Sequence, residues 1–577
     1  MIGTCAIVIH ITAINLSAVM VLSELLLKKT ELMVMDKYVI GVDFGTLSAR
    51  ALLVNAVTGE EKAVAECAYK RPLLTSDDLC GAEIEENAAL QAPADYLEAL
   101  KSTIQGVLSE ADITAESVVG IGIDVTSSTV LPVDENAEPL CAMPEFKNEP
   151  QAYMKLWKHH SAQAEADLMT ELAQSRNEEW LSLYGGKVSS EWFFPKLYEV
   201  LRKAPRVYDK MFRYVEAADW LVWKLTGNEV HSACMAGYKA LWKNGYPDKS
   251  FWKSLDPAFF DVIGTKVSEK ISATGSSAGV ISEPGAELTG LLPGTVVAVP
   301  IIDAHAALPA AGIVDDGKLM MIIGTSTCHI IMDKNELPIS GICGSVVDGI
   351  APGFSAYEAG QPCVGDCLRW FIENCVPNRY FEEAKGAGMS IYDLLNQKAA
   401  AIKPGENTVL ALDWWNGNRS PLADFDLSGM LIGLTLNTRP EEIYRAIIEA
   451  TAFGTKAIVE LYERNGIIIR EVYASGGIPR KNPFLMQIYA DILGKDIKVA
   501  KSRQAGALGS AIFAAASAGC FDSLASAAAA IAEKCDTVYQ PVSENSRKYE
   551  KLYSAYAELS EYFGRGSNVM KRLLHKE

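Results

Sequence analysis

No Cys-x-x-Cys pair occurs in this chain of 577 residues, although it carries 12 cysteines. The nearest spacing, Cys363 to Cys367, builds neither a zinc site nor a secreted disulfide framework, so the thiols are expected to be reduced, as in a cytoplasmic protein. Basic charge is in deficit: 53 Lys and Arg stand against 72 Asp and Glu, a formal charge of −19. Nucleic-acid binding needs clustered Lys and Arg, so that class is set aside. The 7 histidines form no His-Glu-x-x-His motif. No Walker loop and no Gly-x-Gly-x-x-Gly after a strand is present, so neither common nucleotide signature applies. Long apolar runs are scarce as well. The one candidate, Cys5 to Leu27, is broken by His10, Asn15 and Glu24. No Lys or Arg precedes it and no small-residue cleavage site follows it, so no membrane span or signal peptide is expected. Residues 1–36 read as a leader outside the fold, with the natural start at Met35; the mass of the native N-terminus tests this.

What is present is a series of buried strands that end in carboxylates or small polar loops. Tyr38 to Val42 is apolar and reaches Asp43; Gly45 and Thr46 turn the chain, and Ala51 to Val54 is apolar again. That pattern predicts a hairpin with a short polar tip. Gly45 lets backbone N–H groups approach an anion, Thr46 and Ser48 add hydroxyls, and Asp43 suits a divalent cation. The same residues also suit an ordinary hairpin turn. Val118 to Asp124 repeats the idea, followed by Thr126, Ser127 and Ser128, and Thr295 to Asp303 gives a third strand ending in Asp. Leu319 to Gly324, then Thr325 and Ser326, is a second candidate phosphate loop. Lys239 stands among apolar and aromatic residues, where a lysine either snorkels to water or meets a ligand. Gly476 and Gly477 lie between a strand and a helix that Asn482 caps and Pro483 begins. They suit a flat ligand or a plain turn.

Helical spacing predicts helices over Asp95 to Leu108, Met154 to Leu172, Glu191 to Leu201 and Tyr208 to Gly227. Pro284 to Pro293 reads as a connector. Thr438 to Asn465 is the clearest helix, with Thr438 and Glu441 as a capping box. Ala505 to Gly519 is a helix of small residues, suited to close packing, and Asn545 to Leu574 is a polar helical tail.

Taken in order, GVDFGTLSAR, GIDVTSSTVLPVD, LWKHH, YGGKVSSEW, AGYKALW, DAHAALPAAG, IGTSTCHI, YEAGQPCVGD, LDWWNGNRS, EATAFGTKAIVE and ASGGIPRKNPFLMQIYADILG are specific together. The sequence resembles the FGGY family of carbohydrate kinases, and within it the bacterial branch acting on L-ribulose, over about residues 37 to 560. The resemblance implies an α/β fold with two ribonuclease-H-like domains, of the actin and sugar-kinase superfamily, flanking a catalytic cleft. The expected division is a sugar-binding domain over 37–294, a nucleotide-binding domain over 295–562 and a tail over 563–577. It implies phosphorylation of a ketopentose, L-ribulose, by ATP with Mg2+, in arabinose catabolism and in the cytoplasm. The partners implied are the sugar and ATP, with no nucleic acid and no membrane; a homodimer is an assembly it allows.

Residue by residue, Asp303 matches the family's general base and Asp43 its metal-bridging carboxylate, with Asp303 beside the same metal. Gly45, Thr46, Gly324, Thr325 and Ser326 match the phosphate cradle, and Gly476, Gly477 and Asn482 the adenosine side. Ser127, Lys239, Asp303 and Glu358 match the sugar contacts, with Trp157 and Lys158 as further ones. Rival readings are a kinase for D-ribulose, xylulose or ribitol, and a non-catalytic ATP-binding regulator, which would have lost a catalytic carboxylate.

Overall fold

The computed structural model describes residues 37–575, apart from 534 and 536. The expected leader, 1–36, lies outside the described residues. Tyr38–Phe44 is apolar on both faces up to Asp43 and becomes a central strand, β1, paired antiparallel to β2, Ser48–Asn55. β3, Glu61–Ala68, alternates exposed and covered residues, as a strand at the margin should. β4, Val118–Val125, lies parallel to β1 on its other side. β5, Ser277–Val280, β6, Val296–Ala298, and β7, Ile301–Ile302, complete the first sheet in the order β5-β6-β4-β1-β2-β3, with β7 also beside β4. This sheet runs past residue 294: β6 and β7 follow the expected division and yet pair with β4.

The second sheet has the same plan. β8, Lys318–Ile323, β9, Thr327–Asp333, β10, Gly344–Val347, and β11, Ser355–Gln361, form its antiparallel part. β12, Glu471–Ser475, β13, Ile497–Val499, and β14, Thr537–Tyr539, extend it in the order β10-β11-β9-β8-β12-β13-β14. β8, β12 and β13 are parallel, as β1, β4 and β6 are. Each sheet therefore turns from an antiparallel to a parallel half beside its first strand, and ligands of such sheets bind where parallel strands end.

Four helices position the site: α1, Pro93–Ala111, α2, Ala233–Lys239, α3, Asp303–Ala310, and α4, Ala505–Ser517. α1 covers one face of the first sheet at β2 and β3. α4 comes from late in the chain but packs on β1, β4 and α3. It comes close because its partners lack side chains. A Cβ on Gly41 would stand 1.8 Å from the Ala507 carbonyl oxygen, one on Gly122 2.0 Å from that of Ser510, and one on Gly509 1.8 Å from that of Ala306.

Several expected elements differ. Met154 to Leu172 is not one helix: Met154–Lys155 is a strand, a loop follows, and the helix is Gln163–Ser175. Lys155 is buried there on Glu199, 2.6 Å away, which a helical surface would not allow. Within Tyr208 to Gly227, Arg213–Glu216 is a strand and only Ala217–Thr226 continues as helix. The expected connector contains a helix, Glu283–Thr289, whose first turn tolerates Pro284 and whose cap is Ser282. The long helix is Pro440–Arg464, and its N-cap is Arg439, not Thr438; the Arg439 amide donates to the Glu442 carboxylate at 2.7 Å, the half of a capping box that an arginine can make. The Thr438 hydroxyl accepts instead from the Thr435 amide at 2.9 Å. The tail docks: Met570 is buried in the second core and Lys571 pairs with Asp424 at 2.5 Å. No helix among the described residues is long and apolar enough to cross a membrane.

Candidate active site

Three aspartates meet at the parallel end of the first sheet, and pairing explains why. Asp43 on β1 lies opposite Asp124 on β4, and Ile301 of β7 lies opposite Asp124 on its other side. Asp303 follows one residue beyond β7 as the first residue of α3. Its Oδ1 accepts the Ala304 amide at 2.7 Å. Burial, then the charge of Asp43, pushes the Asp303 carboxyl up to about 7. Burial raises Asp43, and burial with the neighbouring Asp43 charge raises Asp124 well above the usual carboxylate range. Two carboxylates side by side cannot both stay ionised without a proton or a cation between them. The Ser510 hydroxyl of α4 donates to Asp124 Oδ2 at 2.6 Å, while buried Asp124 Oδ1 receives no hydrogen bond from a described residue and has the Asp43 carboxyl beside it.

That orphaned oxygen beside Asp43 fits a divalent cation. No cluster of three or more His, Cys, Asp or Glu able to hold a metal ion occurs among the described residues. Mg2+ takes one or two carboxylates and completes its shell with water and substrate phosphates, and Asp43 with Asp124 offers two. Asp124 was not assigned a role from the sequence, although its position at a strand end repeats that of Asp43.

The hairpin tip is held from several sides. The Gly45 amide donates to the Ser48 carbonyl at 3.0 Å, and the Tyr69 hydroxyl donates to the Gly45 carbonyl at 3.0 Å. Trp157 Nε1 donates to the Thr46 hydroxyl at 3.1 Å, so Trp157 braces the tip. Lys158 makes no hydrogen bond or ion pair with a described residue.

Around Asp303 stands a chamber of charged groups. Lys239 ends α2, half-buried, and its ammonium makes no hydrogen bond or ion pair with a described residue. Glu358 on β11 reaches across to the first domain, where His305 of α3 meets its Oε2 at 2.8 Å. The His305 ring lies on Tyr238, centroids 4.3 Å apart, and Cys234 Sγ is 3.2 Å from its Nδ1. Burial pulls Glu358 upward, but the His305 bond and the charges of Lys239 and Arg419 outweigh it and hold the carboxylate ionised. Ser127 and Ser128 are buried in the loop after β4, their hydroxyls without partners among the described residues, and Ser128 has φ of 61°. Lys196, fully buried, donates to the Ser128 carbonyl at 2.7 Å and to that of Leu156 at 2.9 Å. It thereby ties the Ser127 loop to the segment carrying Trp157, a link that its position inside an amphipathic helix did not reveal.

On the second sheet, β8 and β12 are parallel neighbours, so Gly324 and Gly476 both stand just past their ends. The Gly324 amide donates to the Ser326 carbonyl at 2.8 Å, and the Val364 amide to the Thr325 carbonyl at 2.8 Å, leaving the Thr325 side chain exposed. Gly476 has φ of 109°, and a Cβ there would stand 2.4 Å from the Ile323 carbonyl oxygen. Gly477 faces open space. Asn482 caps the helix Pro483–Leu493, its Oδ1 accepting the Leu485 amide at 3.0 Å. Its amide nitrogen is 3.4 Å from Asn396 Oδ1, so much of its hydrogen-bonding capacity is spent within the protein.

Comparison with known proteins agrees with this architecture. The N-terminal domain of the FGGY family of carbohydrate kinases matches residues 38–309 and its C-terminal domain residues 319–518. A ribulokinase of Bacillus licheniformis is 48% identical over 534 residues, covering 91% of this chain and 97% of the relative. A ribulokinase of Mycolicibacterium smegmatis is 44% identical, covering 93% and 96%. Among solved structures, a xylulose kinase from Rhodospirillum rubrum superposes with a TM-score of 0.75 at 21% identity, over 91% of this chain and 98% of that one, a likeness of fold. Two matching domains that span both sheets, with relatives of such identity over nearly the whole chain, place it: the chain belongs to the FGGY family of carbohydrate kinases and is an ATP-dependent sugar kinase.

Proposed function

We propose that the chain transfers the γ-phosphoryl group of ATP to L-ribulose, giving L-ribulose 5-phosphate, in L-arabinose catabolism in the cytoplasm. What carries this reading is the Asp303 carboxyl, fixed at a strand end and pushed up to about 7, with Lys239 and Glu358 beside it. A base poised near the working pH takes a hydroxyl proton well, a role typically worth ~10²–10⁴-fold. Asp303 takes the proton of the sugar hydroxyl as its oxygen bonds to phosphorus and the bond to the departing ADP oxygen breaks. Lys239 donates to a sugar oxygen and Glu358 accepts from a hydroxyl. Ser127 offers its backbone and hydroxyl to the sugar, with Trp157 close behind the phosphate tip. Thr46, Thr325 and Ser326 hold the phosphates with backbone N–H and hydroxyl donors, while Gly45 and Gly324, whose amides close the two loops, let the phosphates approach the backbone. Gly476, Gly477 and Asn482 flank the adenosine.

Asp43 and Asp124 would hold Mg2+, with Asp303 nearby; the ion, when bound, neutralises phosphate charge. The chain itself supplies the positioning and the base. The relatives named ribulokinase support the choice of sugar. The test is ADP release with Mg-ATP against L-ribulose, D-ribulose, L-xylulose, D-xylulose, ribitol and glycerol. The highest kcat/KM is expected for L-ribulose. A higher value for another sugar would keep the chemistry and move the substrate.

A further inference from the structure

The sugar chamber has charged walls beyond those named so far. Glu358 and Gly360 lie two residues apart on β11 and so on the same face of the sheet. The Glu358 carboxylate shows that this face looks across the cleft to α3. Gly360 makes a groove on that face. A Cβ there would stand 3.3 Å from Arg419 Cδ and 3.5 Å from its Nη1, so the arginine stem runs over the glycine toward the cleft. The neighbouring Ser420 hydroxyl pins this crossing by accepting the Gly360 amide at 3.3 Å. Arg419 is half-buried, yet its guanidinium donates no hydrogen bond to a described residue. Five N–H donors thus stand in a polar cleft with none spent on the protein.

Glu191 faces the same space from the first domain. It lies just before the helix Phe193–Lys203, its side chain 19% exposed, and its one ion contact among the described residues is with His160 at 3.8 Å. The segments carrying the two residues touch. A Cβ on Gly185 would stand 3.1 Å from the Ile342 carbonyl oxygen and 3.6 Å from the Ala423 Cβ. A Cβ on Gly341 would meet the Pro421 carbonyl oxygen at 2.3 Å. The charges agree with this convergence: burial lifts Glu191, and Lys239, Arg419, His160 and Lys196 together outweigh it. The charged neighbours acting most strongly on Asp303 are instead Asp43, Lys239 and Glu358. Strand pairing sets Gly360 opposite Cys328 and Glu358 opposite Ile330, so Arg419, crossing Gly360, lies on the same wall as Glu358.

We propose that Arg419 and Glu191 grip the ketopentose from opposite walls of the cleft, Arg419 donating to its carbonyl and Glu191 accepting from the hydroxyl next to that carbonyl. This rests on the ketopentose reading above. Because one residue comes from each domain, the sugar itself bridges the cleft, and specificity is read from both walls. A site built to hydrogen-bond a hydroxyl rejects the analogue that lacks it far more strongly than an apolar pocket would.

The test uses the full-length enzyme, with Glu191→Gln and Arg419→Gln, and with L-ribulose and 1-deoxy-L-ribulose as substrates. Each variant is expected to raise the sugar KM by about tenfold or more, the loss of a charged hydrogen bond. The KM for ATP should stay within about twofold, because nucleotide binding is not touched. The wild type should disfavour the deoxy sugar by about 10²-fold or more, and the variants should lose most of that preference. Arg419→Lys, keeping the charge but not the fork, should recover part of it. Unchanged sugar KM and unchanged preference in both variants, with thermal unfolding like the wild type, overturn the proposal. Should the wild type prefer another sugar of the panel, the variants are assayed on that sugar and its deoxy analogue, and the same outcomes decide. A wild type that turns over no sugar at all overturns the function reading instead, and the two failures are distinct.

Discussion

At the residue scale, one carboxyl decides turnover. Asp303→Asn keeps the shape of the side chain and removes its basicity. It should lower kcat by roughly 10²–10⁴-fold while sugar affinity changes modestly, measured by single-turnover kinetics and by sugar titration of the variant. Unimpaired kcat would remove Asp303 from the base role. The same residue sets a pH dependence. Burial and Asp43 raise its carboxyl to about 7 in the free enzyme. The base must be ionised to act, so kcat/KM should fall as pH drops below about 7 and level off above it. A flat profile between pH 5 and 8 would show that another group limits the reaction.

Lys196 belongs to this scale too, as a positioning residue. Its ammonium is fully buried, and burial with the Lys239 charge pulls it well below the usual lysine range. Such a group is retained at a cost, and what it holds is two carbonyls, Ser128 and Leu156, that set the sugar loop and the Trp157 segment. Lys196→Met fills the space and leaves both carbonyls without their donor, at roughly 1–3 kcal/mol each. The sugar KM is expected to rise more than the ATP KM, because the Ser127 loop moves. An equal loss of stability with both KM values unchanged would make Lys196 purely structural.

At the element scale, α4 links late sequence to the first sheet, and glycines make the contact. Gly122 sits two residues before Asp124 on β4, and a Cβ there would stand 2.0 Å from the Ser510 carbonyl oxygen. Backbone cannot yield as a flexible side chain can, so Gly122→Ala must push α4 off the sheet. The expected loss is roughly 1–3 kcal/mol by denaturant unfolding, together with a higher Mg2+ concentration for half-maximal turnover as Ser510 leaves Asp124. A variant of native stability would show that the helix sits farther away. The sequence made α4 legible as a close-packing helix through its small residues, but not that its partner was a sheet encoded nearly four hundred positions earlier. Strands with both faces buried, such as β1 and β4, declared themselves as apolar runs. Lys155 and Glu216 did not: these buried ionisable side chains sit in short strands that helical spacing reads as helix, and for Lys155 only a distant partner, Glu199, makes such burial tolerable. Ser282 similarly turned a Gly- and Pro-rich stretch into a helix by capping it.

At the scale of the whole molecule, the strand ends were legible and the cleft was not. Asp43, Asp303, Gly324 and Gly476 each follow a recognisable strand, so their candidacy came from local pattern. Asp124, Glu191 and Arg419 acquire meaning only when β4 lies beside β1 and the loop after Arg419 meets Gly185. That assembly predicts coupling between ligands. Lys239 and Asp303 come from the first domain, Glu358 from the second, and the phosphate loops from both sheets. A sugar seated between them is expected to draw the two walls together, and an unreactive ATP analogue with Mg2+ to favour the same closed arrangement. Each ligand alone should stabilise by mass action, about 2.7 kcal/mol at one hundred times its Kd. Together they should stabilise by more than the sum, since the second ligand meets a cleft already closed, and by reciprocity each should tighten the other's Kd by the same factor, roughly 5–150-fold. Titration calorimetry of the sugar with and without the analogue measures that factor directly. A sugar Kd unchanged by saturating nucleotide would mean that the two sites share an active-site cleft without sharing a conformational change.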